Sequence, residues 1–260
     1  MIDYKNRIQM LYEQSCPYYD LCKANVYYEE CDTILCKFRF DRARVGKNYG
    51  KESFIPKIVM VGIEGFPKEK TVSQVIEPSY VATNPHYNGL KYVLSYLLSD
   101  FVKKDKPEPR ITQNSVWWIK DALSRYCLCN LYRCAFVPEN DPDKKKGLCH
   151  TEEMKENCFE LLLNEISALD PDVIVIQATD TAVFPENNLE KLLSRFQCAN
   201  EYYGKSNRAR LYTGRLNNRK IQIVQTLHGA YAGFKSHTYL SQELNPVLDK
   251  TIELVKSMYH

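Results

Sequence analysis

Apolar positions fall in short blocks parted by polar stretches, and their period changes from block to block. Leu90, Val93, Leu94, Leu97, Leu98 and Phe101 recur at steps of three and four, which predicts a helix over 88–103. Residues 2–14 read as an amphipathic helix, and 115–125 as another. Thr151 can cap a helix ending near Leu169, with Glu152 and Glu153 suiting its positive N-terminus. Further helices are expected at 188–196 and from about 241 to 258. A second kind of block reads as strand: KIVMVGIEG after Pro56, a buried strand ending in a glycine loop, then CLCNLYR at 127–133, DPDVIVIQ, and 221–227. Between the blocks lie a cysteine-rich, irregular stretch to about residue 55, a polar loop over 66–86 and another over 135–150, basic at Lys144–Lys146.

Strands alternating with helices predict an α/β fold with a central, mostly parallel, four-stranded sheet flanked by helices. One domain over 1–260 is expected, with residues 1–55 as a helix and cysteine-rich segment packed on it. Ligands of such sheets bind beyond the C-terminal strand ends. The loops there begin at Gly62, Asn130, Gln177 and His228.

Composition narrows the class. With 44% hydrophobic and 26% charged residues in 260, the chain resembles an ordinary globular protein. The apolar runs Ile58–Val61 and Val173–Ile176 are far shorter than the roughly 20 residues a bilayer requires. MIDYKNRIQMLYEQ is too polar for a signal peptide. A cytoplasmic protein with no membrane partner is expected. The net charge of +3 decides little, but between Glu201 and Lys220 six basic residues (Lys205, Arg208, Arg210, Arg215, Arg219, Lys220) face one acid, a local charge of +5. That suits a phosphate backbone; a solvated hairpin is the plainer alternative. The ten cysteines would not persist as disulfides in a cytosolic protein, so a metal or iron–sulfur site is the natural hypothesis. Cys127 and Cys129 alternate within an apolar strand and read as core.

Four segments in order resemble the uracil-DNA glycosylase superfamily, especially its iron–sulfur branches. They are IVMVGIEGFP (58–67), NPHYNGLKYVLSYLL (84–98), CNLYRC followed by HTEEMKENCFELLLNEISALDPDVIVIQ, and QTLHGAYAGF (225–234). The first is similar to the family's strand, glycine and polar loop, with Gly62, Ile63 and Glu64 in those places. The second is similar to its PFxGxxGxLL segment, whose aromatic stacks on the extruded base; Tyr87 stands there. The fourth is similar to the HPS motif and DNA-contacting loop, with His228-Gly229-Ala230 in place of HPS. The resemblance implies a monofunctional DNA glycosylase acting on DNA, with a monomer expected.

The residue types fit that chemistry. Breaking an N-glycosidic bond builds positive charge on the sugar and negative charge on the departing base. A Glu64 carboxylate could stabilise the cation or orient water, and His228 could donate to the base anion. Asn130 offers an acceptor and two donors for a base edge, and Tyr87 a stacking face. The base must leave the duplex to reach such a pocket. Tyr231 and Phe234 are candidate wedges for the gap it leaves, with Lys235, Arg208 and Arg210 on the phosphates. Each has a plainer alternative: Glu64 a solvated loop residue, His228 a structural cap, Asn130 a satisfier of buried backbone groups, and the aromatics core.

In the resembled branches two cysteines precede the first strand, a third follows the second strand and a fourth opens the next helix. This implies a [4Fe-4S] cluster on Cys31, Cys36, Cys134 and Cys158, with zinc the alternative. Cys16 and Cys22 rival the first pair, Cys149 could replace either of the second, and unligated buried cysteines remain open. The substrate is open between uracil or another deaminated base, in repair, and a hypermodified phage cytosine, in antiviral defence. The long 66–86 loop, carrying Val72, Val75, Ile76 and Tyr80, and the small Gly229 and Ala230 favour room for a bulky base. Alternatives in other classes are a non-catalytic nucleic-acid-binding protein on the same fold and a nucleotide-processing hydrolase.

Overall fold

A computed structural model describes residues 2–11, 36–40, 43–62, 88–111, 122–131, 134–138, 152–177, 186–205, 208–227 and 232–259. In chain order the strands are β1 (Cys36–Phe40), β2 (Arg44–Val45), β3 (Ile58–Gly62), β4 (Tyr126–Asn130), β5 (Cys134–Pro138), β6 (Val173–Gln177), β7 (Asn200–Tyr203), β8 (Arg210–Leu216) and β9 (Arg219–Thr226). The α-helices are α1 (Tyr4–Met10), α2 (Asn88–Val102), α3 (Glu152–Leu169), α4 (Glu186–Arg195) and α5 (Asn245–Lys256). Among the described residues no helix is long and apolar enough to cross a membrane.

Seven strands form one sheet in the order β2-β4-β3-β6-β9-β8-β7. Its centre, β4-β3-β6-β9, is parallel throughout and consists of the four segments predicted as strands. The margins are antiparallel: β2 on β4, β8 on β9 and β7 on β8. The basic stretch therefore contains a β-hairpin, β8–β9. Asn217 and Asn218 join β8 to β9 with φ of 50° and 62°, the left-handed pair that a tight hairpin turn requires and that asparagine tolerates.

Alternation along the parallel strands divides the core in two. Ile58, Met60, Leu128, Val173, Val175 and Val224 face the layer of α2 and α5. Val59, Val61, Cys127, Cys129, Ile174, Ile176 and Ile223 face the layer of α1, α3 and α4. Cys127 and Cys129 are thus core, as their spacing predicts, and burial followed by the neighbouring Cys129 pushes the Cys127 thiol well above its usual range. Helix α2 is buried along Asn88–Ser99, because α5 covers the side that the sheet does not. Tyr92 OH donates to Asn245 Oδ1 (2.7 Å), Tyr96 OH to Asp249 Oδ1 (3.0 Å) and Lys256 Nζ to Asp100 Oδ2 (2.6 Å). The two helices therefore run in the same direction.

The N-terminal ends of the parallel strands are closed by charge. Arg219 donates to Asp170 Oδ1 (2.9 Å) and Asp172 Oδ1 (2.6 Å), Lys57 Nζ to Asp170 Oδ2 (2.7 Å), and Tyr259 OH to Asp172 Oδ2 (2.9 Å). The backbone of Asp172 bridges β3 and β9, its N–H donating to Lys57 O and its carbonyl accepting from Gln222 N, both at 2.9 Å.

Four expectations change. The expected four-stranded sheet is the parallel centre of a seven-stranded one, extended by antiparallel strands at both margins. The predicted loop over 135–150 opens instead with β5, an apolar Ala-Phe-Val segment whose backbone groups are satisfied by antiparallel pairing with β1 in a separate two-stranded sheet. The predicted helix over 2–14 is described over Tyr4–Met10. The last predicted helix begins as a π-helical turn, Tyr239–Leu244, and becomes α-helical at Asn245, where Pro246 fits the first turn.

Candidate functional site

The parallel centre ends in one transverse row of residues. Gly62 of β3 lies opposite Asn130 of β4, and Gln177 of β6 opposite Thr226 of β9. β3 and β6 are neighbours paired up to Val61 and Ile176, so the row crosses all four strands. Counting by twos from Met60, Leu128, Val175 and Val224 puts all four residues on the side of the sheet covered by α2 and α5.

Gly62 leaves room in this row for the Asn130 side chain. A Cβ there would lie 2.9 Å from Asn130 Oδ1, closer than such contacts allow. The Asn130 amide leans over the glycine and takes the volume a larger residue would fill. The next peptide ties the two strand ends together, Leu131 N donating to Gly62 O at 2.8 Å. Asn130 is 3% exposed and already engaged within the protein.

The far end of the row is held by Tyr239. Its hydroxyl lies 2.6 Å from Thr226 Oγ1 and accepts from Leu227 N at 3.0 Å. Burial, set against the Thr226 hydrogen bond, pushes its pKa up to about 12, so it stays a neutral phenol. Arg208 lies over the Tyr239 ring, 5.5 Å from its centroid. The π turn carrying Tyr239 packs against Gly204, where a Cβ would meet Glu243 O at 2.7 Å. Wide helical turns of this kind cluster at functional sites.

Helix dipoles point toward the same edge. The stretch leading into α5 starts at Tyr239, beside Thr226, and the chain after α5 ends with Tyr259 on Asp172, at the opposite edge of the sheet. Because α2 runs parallel to α5, its N-terminus at Asn88 also lies at the C-terminal edge of the strands, where its partial positive charge favours an anion. Lys91, in the first turn of α2, is 4% exposed, and burial lowers its pKa.

The predicted site residues divide. Gly62 and Asn130 are brought together. Ile63, Glu64, Tyr87, His228, Tyr231 and Cys31 lie outside the described residues. Lys235 is exposed at the end of a 3-10 turn, Ala232–Lys235. Phe234 is a correction. It is fully buried, packed edge-on against Tyr92 (6.5 Å between centroids) and tilted against Tyr239 (5.6 Å). A ring held there is core, not a wedge for a duplex.

The basic residues also divide. Arg210 pairs with Gln225 at the site edge, whereas Arg215 pairs with Lys220 and Leu216 with Arg219 at the other end of the hairpin. Lys205, Arg208 and Arg210 thus flank the row, while Arg219 is spent on Asp170 and Asp172. An antiparallel hairpin separates charges that the linear sequence groups.

Among the described residues no group of three or more His, Cys, Asp or Glu is placed to hold a metal ion. Cys158 is buried in α3 and already engaged. Cys36 pairs with Pro138, and Cys134 with Phe40. The two cysteines therefore stand at opposite ends of a five-residue ladder, about 13 Å apart along the strands. That register corrects the expectation that both ligate one cluster.

Sequence reasoning missed Tyr239, Lys91 and the hydrogen-bonding part of Thr226. Each acts through a partner distant in the chain or through burial, and none carries a local pattern. No protein-family model matches the chain, and no curated protein matches it.

Proposed function

We propose that the chain is a monofunctional DNA glycosylase, a single uracil-DNA glycosylase-like domain that hydrolyses the N-glycosidic bond of a base extruded from DNA. The observation that carries this reading is the transverse row, in which Asn130 leans over a glycine at the C-terminal edge of a parallel sheet. An amide at such an edge offers a donor and an acceptor to a base. The order of the four central strands, the α2 N-terminus and the flanking Lys205, Arg208 and Arg210 support the same reading.

Chain connectivity supplies the chemistry. Glu64 follows the end of β3 by two residues and His228 follows the end of β9 by two. Two residues span at most about 7 Å, and β3 and β9 are parted only by β6, about 10 Å in all. In this reading both groups serve a base above the end of β6. Glu64 stabilises the sugar cation or orients water, and His228 donates to the departing base anion. Tyr87, one residue before α2, stacks on the base, and Tyr231 and Lys235 meet the DNA.

A structural [4Fe-4S] cluster belongs to the same proposal. With Cys134 and Cys158 as two ligands, the ladder register moves the other two from Cys36 toward Cys31, Cys22 and Cys16. Anaerobically purified protein then carries about four iron and four sulfide per chain, retained by Cys36→Ser and lost by Cys158→Ser.

The deciding experiment incubates duplexes carrying uracil, hypoxanthine, hydroxymethylcytosine or glucosylated cytosine with the protein, followed by alkaline cleavage. Strand breaks in uracil or hypoxanthine DNA assign repair, and breaks confined to the modified cytosines assign antiviral defence. No break in any duplex, with DNA still bound, would leave a non-catalytic DNA-binding protein.

A further inference from the structure

Gln177 is buried, 7% exposed, at the end of β6, and among the described residues its side-chain Nε2 has no hydrogen-bond partner. The contrast with Asn130 is direct: both are amides in one row on one face of the sheet, yet Asn130 is already engaged and Gln177 is not. A buried donor without an acceptor is unfavourable, and natural proteins keep few of them. Position gives this one a purpose. β6 stands between β3 and β9, so Gln177 lies between the two loops that begin after Gly62 and Leu227. On one side of it is Gly62, which presents no side chain; on the other is Thr226, whose hydroxyl is taken by Tyr239.

We infer that Gln177 is a base-reading residue, whose amide N–H donates to an acceptor on the Watson–Crick edge of a pyrimidine bound at the C-terminal edge of the sheet. This rests on the glycosylase reading and extends it to recognition. Two neutral amides on either side of a residue without a side chain suit a neutral heteroaromatic edge that carries a donor beside an acceptor. Uracil presents such an edge through its ring N–H and carbonyl, and cytosine through its amino group and ring nitrogen. The glutamine has no part in bond breaking; it selects and orients the base.

The test uses Gln177→Met, which keeps length and volume and removes the polar group, and Gln177→Glu, which keeps an acceptor and removes the donor. Single-turnover excision is measured on whichever duplex the wild type cleaves. Melting temperature is measured with and without free uracil, cytosine and hydroxymethylcytosine. Replacing an unpartnered buried amide by an apolar group of equal size leaves stability equal or higher. The expected result is a melting temperature unchanged or raised in Gln177→Met, excision lowered at least ~10-fold in both variants, the scale of one hydrogen bond, and the stabilisation by free base lost. A lower melting temperature in Gln177→Met with unchanged excision would make the amide structural and overturn the proposal, while the glycosylase reading stood. If the wild type excises no base but is stabilised by one through Gln177, recognition stands and glycosylase chemistry falls. If it neither excises nor binds any base, both fall. The base giving the largest shift separates the uracil from the cytosine type of edge.

Discussion

Asn130 Oδ1 stands 2.9 Å from the point where a side chain on Gly62 would begin. The two residues lie opposite each other at the ends of adjacent parallel strands, and the absence of a side chain in one sets the position of the amide in the other. Gly62→Ala would force a short, 3%-exposed side chain to move while leaving the strand backbone in place. The expected outcome is a loss of about 1 kcal/mol in stability or less, together with a fall in excision of about 100-fold, since displacing a reading group by an ångström has effects of that size. Urea denaturation and single-turnover kinetics measure the two. Undiminished excision in a folded Gly62→Ala protein would remove Asn130 from the site.

Tyr239 and Phe234 are packed together, but their removal has different consequences. Phe234→Ala leaves a cavity in a fully buried aromatic cluster, and a loss of about 3–5 kcal/mol is expected, with duplex and single-stranded substrates affected alike. Tyr239→Phe keeps the ring and removes the hydroxyl that accepts from Leu227 N. That backbone N–H is then buried without its partner, at about 1–3 kcal/mol, and excision falls as well because Leu227 leads into His228. Equal stability of Tyr239→Phe and wild type would show that the clamp is unnecessary.

The basic hairpin is expected to act from one end. Lys205→Ala combined with Arg210→Ala should weaken DNA binding and reduce its salt dependence, by a slope of about 1 for each phosphate that is no longer neutralised. Arg215→Ala combined with Lys220→Ala, the same charge removed at the opposite end of the ladder, should leave both nearly unchanged. Fluorescence anisotropy across a salt series distinguishes the ends, and equal effects would return DNA binding to the hairpin as a whole.

The acidic limb of the stability profile follows from the opposite edge of the sheet. Burial alone would raise the Asp170 pKa, but hydrogen bonds from Lys57 and Arg219 outweigh it and hold the carboxyl below its usual range. A carboxylate depressed on folding stabilises the protein above its unfolded pKa of about 3.9. That stabilisation is lost as the pH falls through the lower folded value. Asp170→Asn should therefore be less stable than wild type by about 1–2 kcal/mol from pH 5 to 8, with the gap closing below about pH 4. A gap that stayed constant into acid would separate stability from this carboxylate.

The elements of the parallel centre are legible in the linear sequence. Ile58–Val61, Cys127–Cys129 and Val173–Ile176 are continuous apolar runs, and a strand covered on both faces requires that pattern. The three-and-four spacing of Leu90 to Phe101 likewise identifies α2, because a 3.6-residue period is a local property. Gly62, Asn130 and Gln177 stand out at strand ends for the same reason. The tertiary structure alone decides that these ends form one row. Strand order and register join segments more than forty residues apart, and only long-range packing on α2 and α5 selects them. Alternation about that register turns Asn130 and Gln177 to one face, and the parallel course of α2 and α5 brings Tyr239 to Thr226. It also draws Phe234 into the core, where a local reading of an aromatic in a loop suggests a surface. The same reason divides the basic stretch, since a hairpin sends residues close in sequence to opposite edges of a sheet.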